Sequence, residues 1–131
     1  MRIRTGVDLV KIDRISKHLK DERSSFFEKC FTEGENAYCM SHNSELKRAE
    51  SYAARFAAKE AASKALGTGI CTENIGFKDF EVVLSDNGAP ELKLYGEALK
   101  KVNEYGLISM SISITHEGDM ACAVVNMLTD I

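Results

Sequence analysis

Asp8, Glu60 and Lys64 are the residues whose types and spacing could do chemistry. Glu60 and Lys64 fall in the run from Arg55 to Gly69, where alanine and leucine favour helix and Gly67 and Gly69 permit the open backbone that ends one. At about 100° per residue the two side chains stand roughly 40° apart on one face, whereas Arg55 is about 140° from Glu60, near the opposite face. A glutamate four residues before a lysine is a common solvated ion pair on a helix surface. Beside alanines, which let backbone or ligand come close, the same pair could instead present a carboxylate and an ammonium to a bound group. Asp8 adds a second carboxylate, which can be merely solvated or can face a ligand, and Gly6 leaves the strand face beside it unobstructed.

The elements that must position these groups can be read from patterning. Residues 2–10 alternate as a half-buried strand, with Ile3, Val7 and Leu9 on the apolar side and Arg2, Arg4, Gly6 and Asp8 on the polar side. From Lys11 to Arg23 an apolar stripe of Ile12, Ile15 and Leu19 runs along a helix whose other side is basic through Lys11, Arg14, Lys17, Lys20 and Arg23. Thr32 and Glu35 match a capping box for a short helix to about Met40, with Phe26, Phe27, Phe31 and Tyr38 as core bulk around it. Ser44 is a cap for a long helix to about Leu66, with Leu46, Ala49, Ala53, Phe56 and Ala57 on one side. After a polar loop, residues 80–84 and 91–95 form a hairpin around the Asp86-Asn87-Gly88 turn, with Pro90 at a strand entrance. A helix over 96–105 and two strands, 108–115 and 120–127, joined by a turn at His116 to Asp119, complete the chain. This order predicts a single α+β domain spanning residues 1–131, with helices packed on a mostly antiparallel sheet.

Composition narrows the class of function. A hydrophobic content of 44% with 28% charged residues is that of a folded protein, no apolar run is long enough to cross a bilayer, and no secretory signal precedes the first strand, so a cytoplasmic protein is expected. Cys30, Cys39, Cys71 and Cys122 lack the spacing of a zinc site, and Cys30, Cys39 and Cys122 sit among residues of core type. A net charge of -3 offers no footprint for nucleic acid. The first helix is nonetheless locally basic, as either a solvated face or a dock for an acidic partner.

Four patterns then occur in order: Gly6-x-Asp8 followed by Arg14; Phe56-x-x-Lys59-Glu60-Ala61-x-x-Lys64-Ala65-x-Gly67-Thr68-Gly69; Asn87-Gly88-x-Pro90; and Ser113-Ile114-Thr115-His116. Together they resemble the holo-acyl-carrier-protein synthases, the small bacterial 4'-phosphopantetheinyl transferases, over nearly the whole chain. The resemblance implies transfer of the 4'-phosphopantetheine arm of coenzyme A to a serine of apo acyl carrier protein, with release of adenosine 3',5'-bisphosphate. Phosphoryl transfer mainly requires charge neutralisation and alignment.

By the same resemblance, Asp8 and Glu60 are the Mg²⁺ ligands and Lys64 meets phosphate. Larger relatives carry a further acidic residue close after the first ligand; Leu9 and Val10 stand here, so water is expected in its place. Either Glu60 or a metal-bound water is implied as the base, the water being favoured because a carboxylate committed to the metal is a poorer base. Arg55, Gly67, Asn87, Gly88, Pro90, Thr115 and His116 match coenzyme A contacts, while Lys59 has no evident role. The family is trimeric with coenzyme A between subunits. That arrangement would let Arg55, His116 and the turn from Asn87 to Pro90 serve a neighbour's site while Asp8, Glu60 and Lys64 serve their own. Arg14, Lys17 and Lys20 would dock the acidic carrier, with Ile15 or Leu19 adding apolar contact. Two other classes fit parts of the pattern: a coenzyme A or nucleotide-binding module without catalysis, and an interaction domain for an acidic protein.

Overall fold

The computed structural model describes residues 1–131. Strand β1 (Arg2–Lys11) leads into helix α1 (Ile12–Leu19), then α2 (Phe26–Cys30), α3 (Glu33–Met40) and the long α4 (Glu45–Leu66). A short 3-10 turn (Phe77–Asp79) precedes the hairpin β2 (Phe80–Leu84) and β3 (Pro90–Leu94), followed by α5 (Gly96–Glu104), β4 (Leu107–Glu117) and β5 (Met120–Thr129). The strands form two antiparallel sheets, one ordered β1-β5-β4 and the other the β2-β3 hairpin. The expected α+β class is what is found.

Local chemistry accounts for the element ends. Thr32 and Glu35 make the capping box, with Thr32 Oγ1 accepting from the Glu35 amide and Glu35 Oε1 accepting from the Thr32 amide. Ser44 caps α4 by accepting from the Lys47 amide. At the other end Gly67 takes φ 83°, and its amide donates to the Ser63 and Lys64 carbonyls.

Helix α4 is the core of the molecule. Tyr52, Ala53, Ala57, Ala58, Ala61, Ala62 and Leu66 are all buried, and the sheet lays Val10, Ala121, Ala123, Val125 and Met127 into the same core. Small side chains on both partners allow backbone to approach backbone. The closest point is Gly6, where a Cβ would lie 1.9 Å from the Ala61 carbonyl oxygen and 2.8 Å from the Ala65 nitrogen.

That approach reverses the sides expected for β1. Gly6 and Val10 face α4, with Arg4 and Asp8 partly covered on the same side, whereas Ile3, Val7 and Leu9 are 73%, 55% and 59% exposed. Alternation defines two faces without saying which is the core; the glycine side wins because only it can meet the alanine helix. The register continues this open face through Leu128, Val124 and Cys122 of β5 to Ser109, Ser113 and Thr115 of β4.

Other departures are local. Helix α1 stops at Leu19, so Arg23 lies beyond it, and the aromatic pair Phe26-Phe27 opens its own short helix. Leu46, expected on the buried side of the long helix, is exposed because it precedes the part of α4 that meets the sheet. Strand β4 runs through His116 to Glu117, leaving only Gly118 and Asp119 in the turn, with Gly118 at φ 60°. Cys30 and Cys39 are buried, and burial pushes both thiols up, as for inert core residues; Cys122 is instead half-buried on the open sheet face.

Candidate active site

The crossing of β1 over α4 at Gly6 brings Asp8 to the face that carries Glu60 and Lys64. Lys64 Nζ donates to Asp8 Oδ1 at 3.1 Å and to the Val7 carbonyl at 2.9 Å. It makes no ion pair with Glu60, so the reading of these two as a solvated i to i+4 pair is not what the fold uses. The lysine instead reaches across to the strand.

The Glu60 side chain accepts no hydrogen bond within the chain. Burial first, and then the negative charge of Asp8, push its carboxyl above the ordinary glutamate range, with Lys64 and Arg14 opposing the rise. Two carboxylates, an ammonium on one of them and a nearby guanidinium make a small oxygen-rich site with cationic edges. Arg14 also lies over the Phe56 ring, 5.8 Å from its centroid, so the basic helix reaches the edge of this site.

The remaining expected site residues fall into separate places. Arg55 is 6% exposed; its Nη1 donates to Ser51 Oγ at 2.9 Å, its guanidinium carbon sits 4.3 Å over the Tyr38 ring, and its Nε has no acceptor. None of these contacts belongs to the Asp8, Glu60 and Lys64 group, as the helical angle predicts. His116 points to the α4 side of β4 and its Nδ1 lies 3.2 Å from Glu50 Oε2. His116, Glu50, Ser51 and Lys47 border one cleft of about 340 Å³, and Arg55 reaches its wall through Ser51.

Asn87 builds its own turn, with Oδ1 accepting from the Ala89 amide at 3.0 Å and from the Ser85 hydroxyl. Together with Pro90 it borders another cleft, against Met110 to Ile112 of β4. Gly67 and Gly88 face open space, where an approaching ligand would meet backbone. Thr115 projects from the opposite face of β4 to His116, beside Cys122. Arg14, Lys17 and Lys20 are exposed along α1, Ile15 is buried and Leu19 is half-buried, so of the two apolar candidates only Leu19 has surface to offer.

Sequence reasoning missed two pairings. Glu50 stands opposite His116, and Lys59 is wholly buried against Glu35 at 2.6 Å. Burial pushes the Lys59 ammonium below its ordinary range, with the Glu35 charge opposing that fall. The capping-box signal at Glu35 was visible, but it says nothing about the second bond the same carboxylate makes.

Comparison with known proteins places the chain. The family model described as the 4'-phosphopantetheinyl transferase superfamily matches residues 4–125. A holo-[acyl-carrier-protein] synthase of Geobacter sp. (strain M21) is 43% identical over 121 residues, covering 92% of this chain and 94% of the relative. The synthase of Carboxydothermus hydrogenoformans is 44% identical over 126 residues, covering 96% and 98%. Among solved structures, the Helicobacter pylori holo-[acyl-carrier-protein] synthase in complex with coenzyme A has a TM-score of 0.79 at 35% identity, covering 95% of this chain and 99% of that one. The coenzyme A complex from Chronobacterium ammoniagenes has a TM-score of 0.83 at 30% identity and covers both chains completely. The chain belongs to the holo-acyl-carrier-protein synthase family of the 4'-phosphopantetheinyl transferase superfamily.

Proposed function

We propose that this chain transfers 4'-phosphopantetheine from coenzyme A to a serine of apo acyl carrier protein, using Mg²⁺ and releasing adenosine 3',5'-bisphosphate. The observation that carries this reading is the convergence of Asp8, Glu60 and Lys64 where β1 crosses α4. The donor set fits the metal: two neighbouring carboxylates, with Glu60 raised by burial and then by the charge of Asp8, form a hard oxygen site whose repulsion a divalent cation relieves. Asp8 and Glu60 would hold Mg²⁺, which supplies neutralisation of phosphate charge. Lys64 uses two of its N–H groups within the chain and keeps the third for a phosphate oxygen. In the transfer the serine oxygen bonds to the phosphorus of the pantetheine arm as the bond to the adenosine bisphosphate breaks. Glu60, whose carboxylate accepts no hydrogen bond within the chain, would either orient a water that takes the serine proton or take that proton itself.

The second reading within this function is a site shared between subunits of a homotrimer. Ile3, Val7 and Leu9 line an open sheet face with Val124 and Leu128. Burying such side chains is worth roughly 1.5–3 kcal/mol each, which favours a further copy over water on this face. Arg55 supports the same reading, because its buried Nε finds no acceptor within the single chain. His116 beside it, with the turn from Asn87 to Pro90, would complete the coenzyme A contacts from the neighbouring subunit. No helix is long and apolar enough to cross a membrane. We place the reaction in the cytoplasm, where the free thiols stay reduced.

Mass spectrometry of apo carrier protein incubated with coenzyme A, Mg²⁺ and this protein tests the activity. A mass gain of one phosphopantetheine, abolished by a chelator, is the expected result; unmodified carrier, whether bound or not, contradicts it. Docking on α1 has a separate test. Lys17→Glu reverses an exposed charge on α1 away from the carboxylate site and should raise the KM for carrier about tenfold, with the KM for coenzyme A changing by less than about threefold. Steady-state kinetics in each substrate checks this, and equal damage to both would contradict a docking role.

A further inference from the structure

We propose that Lys59 is a positioning residue for Glu60: its buried contacts set the rotation of α4 that aims the neighbouring carboxylate at Asp8. This rests on the transfer reading above for the role of Glu60. Most of α4 where it meets the rest of the fold is alanine, including Ala53, Ala57, Ala58, Ala61, Ala62 and Ala65. A smooth alanine surface packs closely but resists rotation or sliding weakly, because few projecting side chains lock into holes. Beside the buried Tyr52, Phe56 and Leu66 of the same helix, Lys59 adds a polar anchor with a fixed direction. Its Nζ donates to Glu35 Oε1 of α3, to the Phe77 carbonyl of the 3-10 turn at 3.1 Å and to the Phe80 carbonyl of β2.

Glu35 is itself held by the Thr32 amide and, at 2.9 Å, by the Val82 amide, so the ammonium docks on a carboxylate tied to both α3 and β2. Three acceptors from separate elements fix one azimuth of α4. Glu60, the next residue, stands about 100° further round the helix, which turns that azimuth toward β1. On the same face as Lys59, Ser63 Oγ donates back to the Glu60 carbonyl at 2.7 Å, steadying the backbone from below. A buried ion pair is a weak source of net stability but an effective register device, since a displaced charge loses its partners while its burial remains.

The test separates register from stability. In the double variant Glu35→Gln/Lys59→Met this buried pair carries no charge, and the glutamine carbonyl still accepts from one of the two backbone amides that hold Glu35. At a temperature where circular dichroism shows full folding, its kcat is expected to fall at least tenfold. The KM for carrier should stay unchanged, because α1 is untouched. Mn²⁺ binding without substrates, followed by electron paramagnetic resonance, should weaken by a similar factor. A folded double variant with wild-type kcat and Mn²⁺ affinity overturns the proposal. Should that variant fail to fold, Lys59→Gln, which retains an amide donor toward Glu35, is read in the same way: the same losses support the proposal and wild-type values overturn it. Wild-type protein that modifies no carrier would instead overturn the transfer reading, so the two failures are distinguishable.

Discussion

Exchanging Glu60 for glutamine is expected to lower turnover of apo carrier protein by about a hundredfold to a thousandfold at saturating Mg²⁺, the range seen when one charged stabiliser of a transition state is removed. The substitution keeps the shape and removes the charge. Because the Glu60 side chain makes no hydrogen bond in the fold and is raised by burial and by Asp8, losing that charge removes a repulsion and breaks no structural contact. The melting temperature should therefore be equal to or above that of the parent. A variant that is both slower and at least as stable is the signature of a residue kept for chemistry. Near-normal turnover at saturating Mg²⁺, measured alongside the melting curve, would contradict its proposed roles as metal ligand and in receiving or directing the serine proton.

The second large effect is expected at a residue with no functional group. Gly6→Ala places a Cβ 1.9 Å from the Ala61 carbonyl oxygen and 2.8 Å from the Ala65 nitrogen. Both atoms are backbone, so no side-chain rotation relieves the clash, and β1 must lift from α4. Overpacking of this kind destabilises by about 1–3 kcal/mol. The effect on activity should be larger. Asp8 is two residues from Gly6 on the strand and Glu60 adjoins Ala61 on the helix, so the lift opens the carboxylate pair, and misplacement by about 1 Å can cost roughly a hundredfold in rate. Thermal melts and kcat on the same preparation check this; full activity with the alanine in place would show that the close crossing does not set the site.

How much of this could be read from the chain differs from feature to feature, for physical reasons. The capping signals at Thr32, Ser44 and Gly67 are local, and each appears in the structure where the residues place it. The sidedness of β1 is not local. Its alternation was legible, but the choice of core face depended on Gly6 meeting Ala61, a contact between residues far apart in sequence, and it placed Ile3, Val7 and Leu9 outside.

Lys59 had no role that its sequence neighbours could suggest, because only the fold brings Glu35, Phe77 and Phe80 round it. The site itself was legible mainly as a resemblance. Helical spacing put Glu60 and Lys64 on one face and Arg55 on another, but no periodicity could bring Asp8 to them. That the lysine pairs with Asp8 and leaves Glu60 unpaired follows from the strand crossing alone.

In the proposed homotrimer α4 would serve two sites, its own subunit's through Glu60 and Lys64 and the neighbour's through Arg55. Co-assembly of an Arg55→Ala chain with a Lys64→Ala chain is the sharpest test. Each homotrimer should be nearly inactive. In randomly mixed trimers about a quarter of the interfaces pair an intact Lys64 with an intact Arg55, so activity should recover toward roughly a quarter of the wild-type value. Mixed trimers that form, remain folded and recover no activity would contradict the claim.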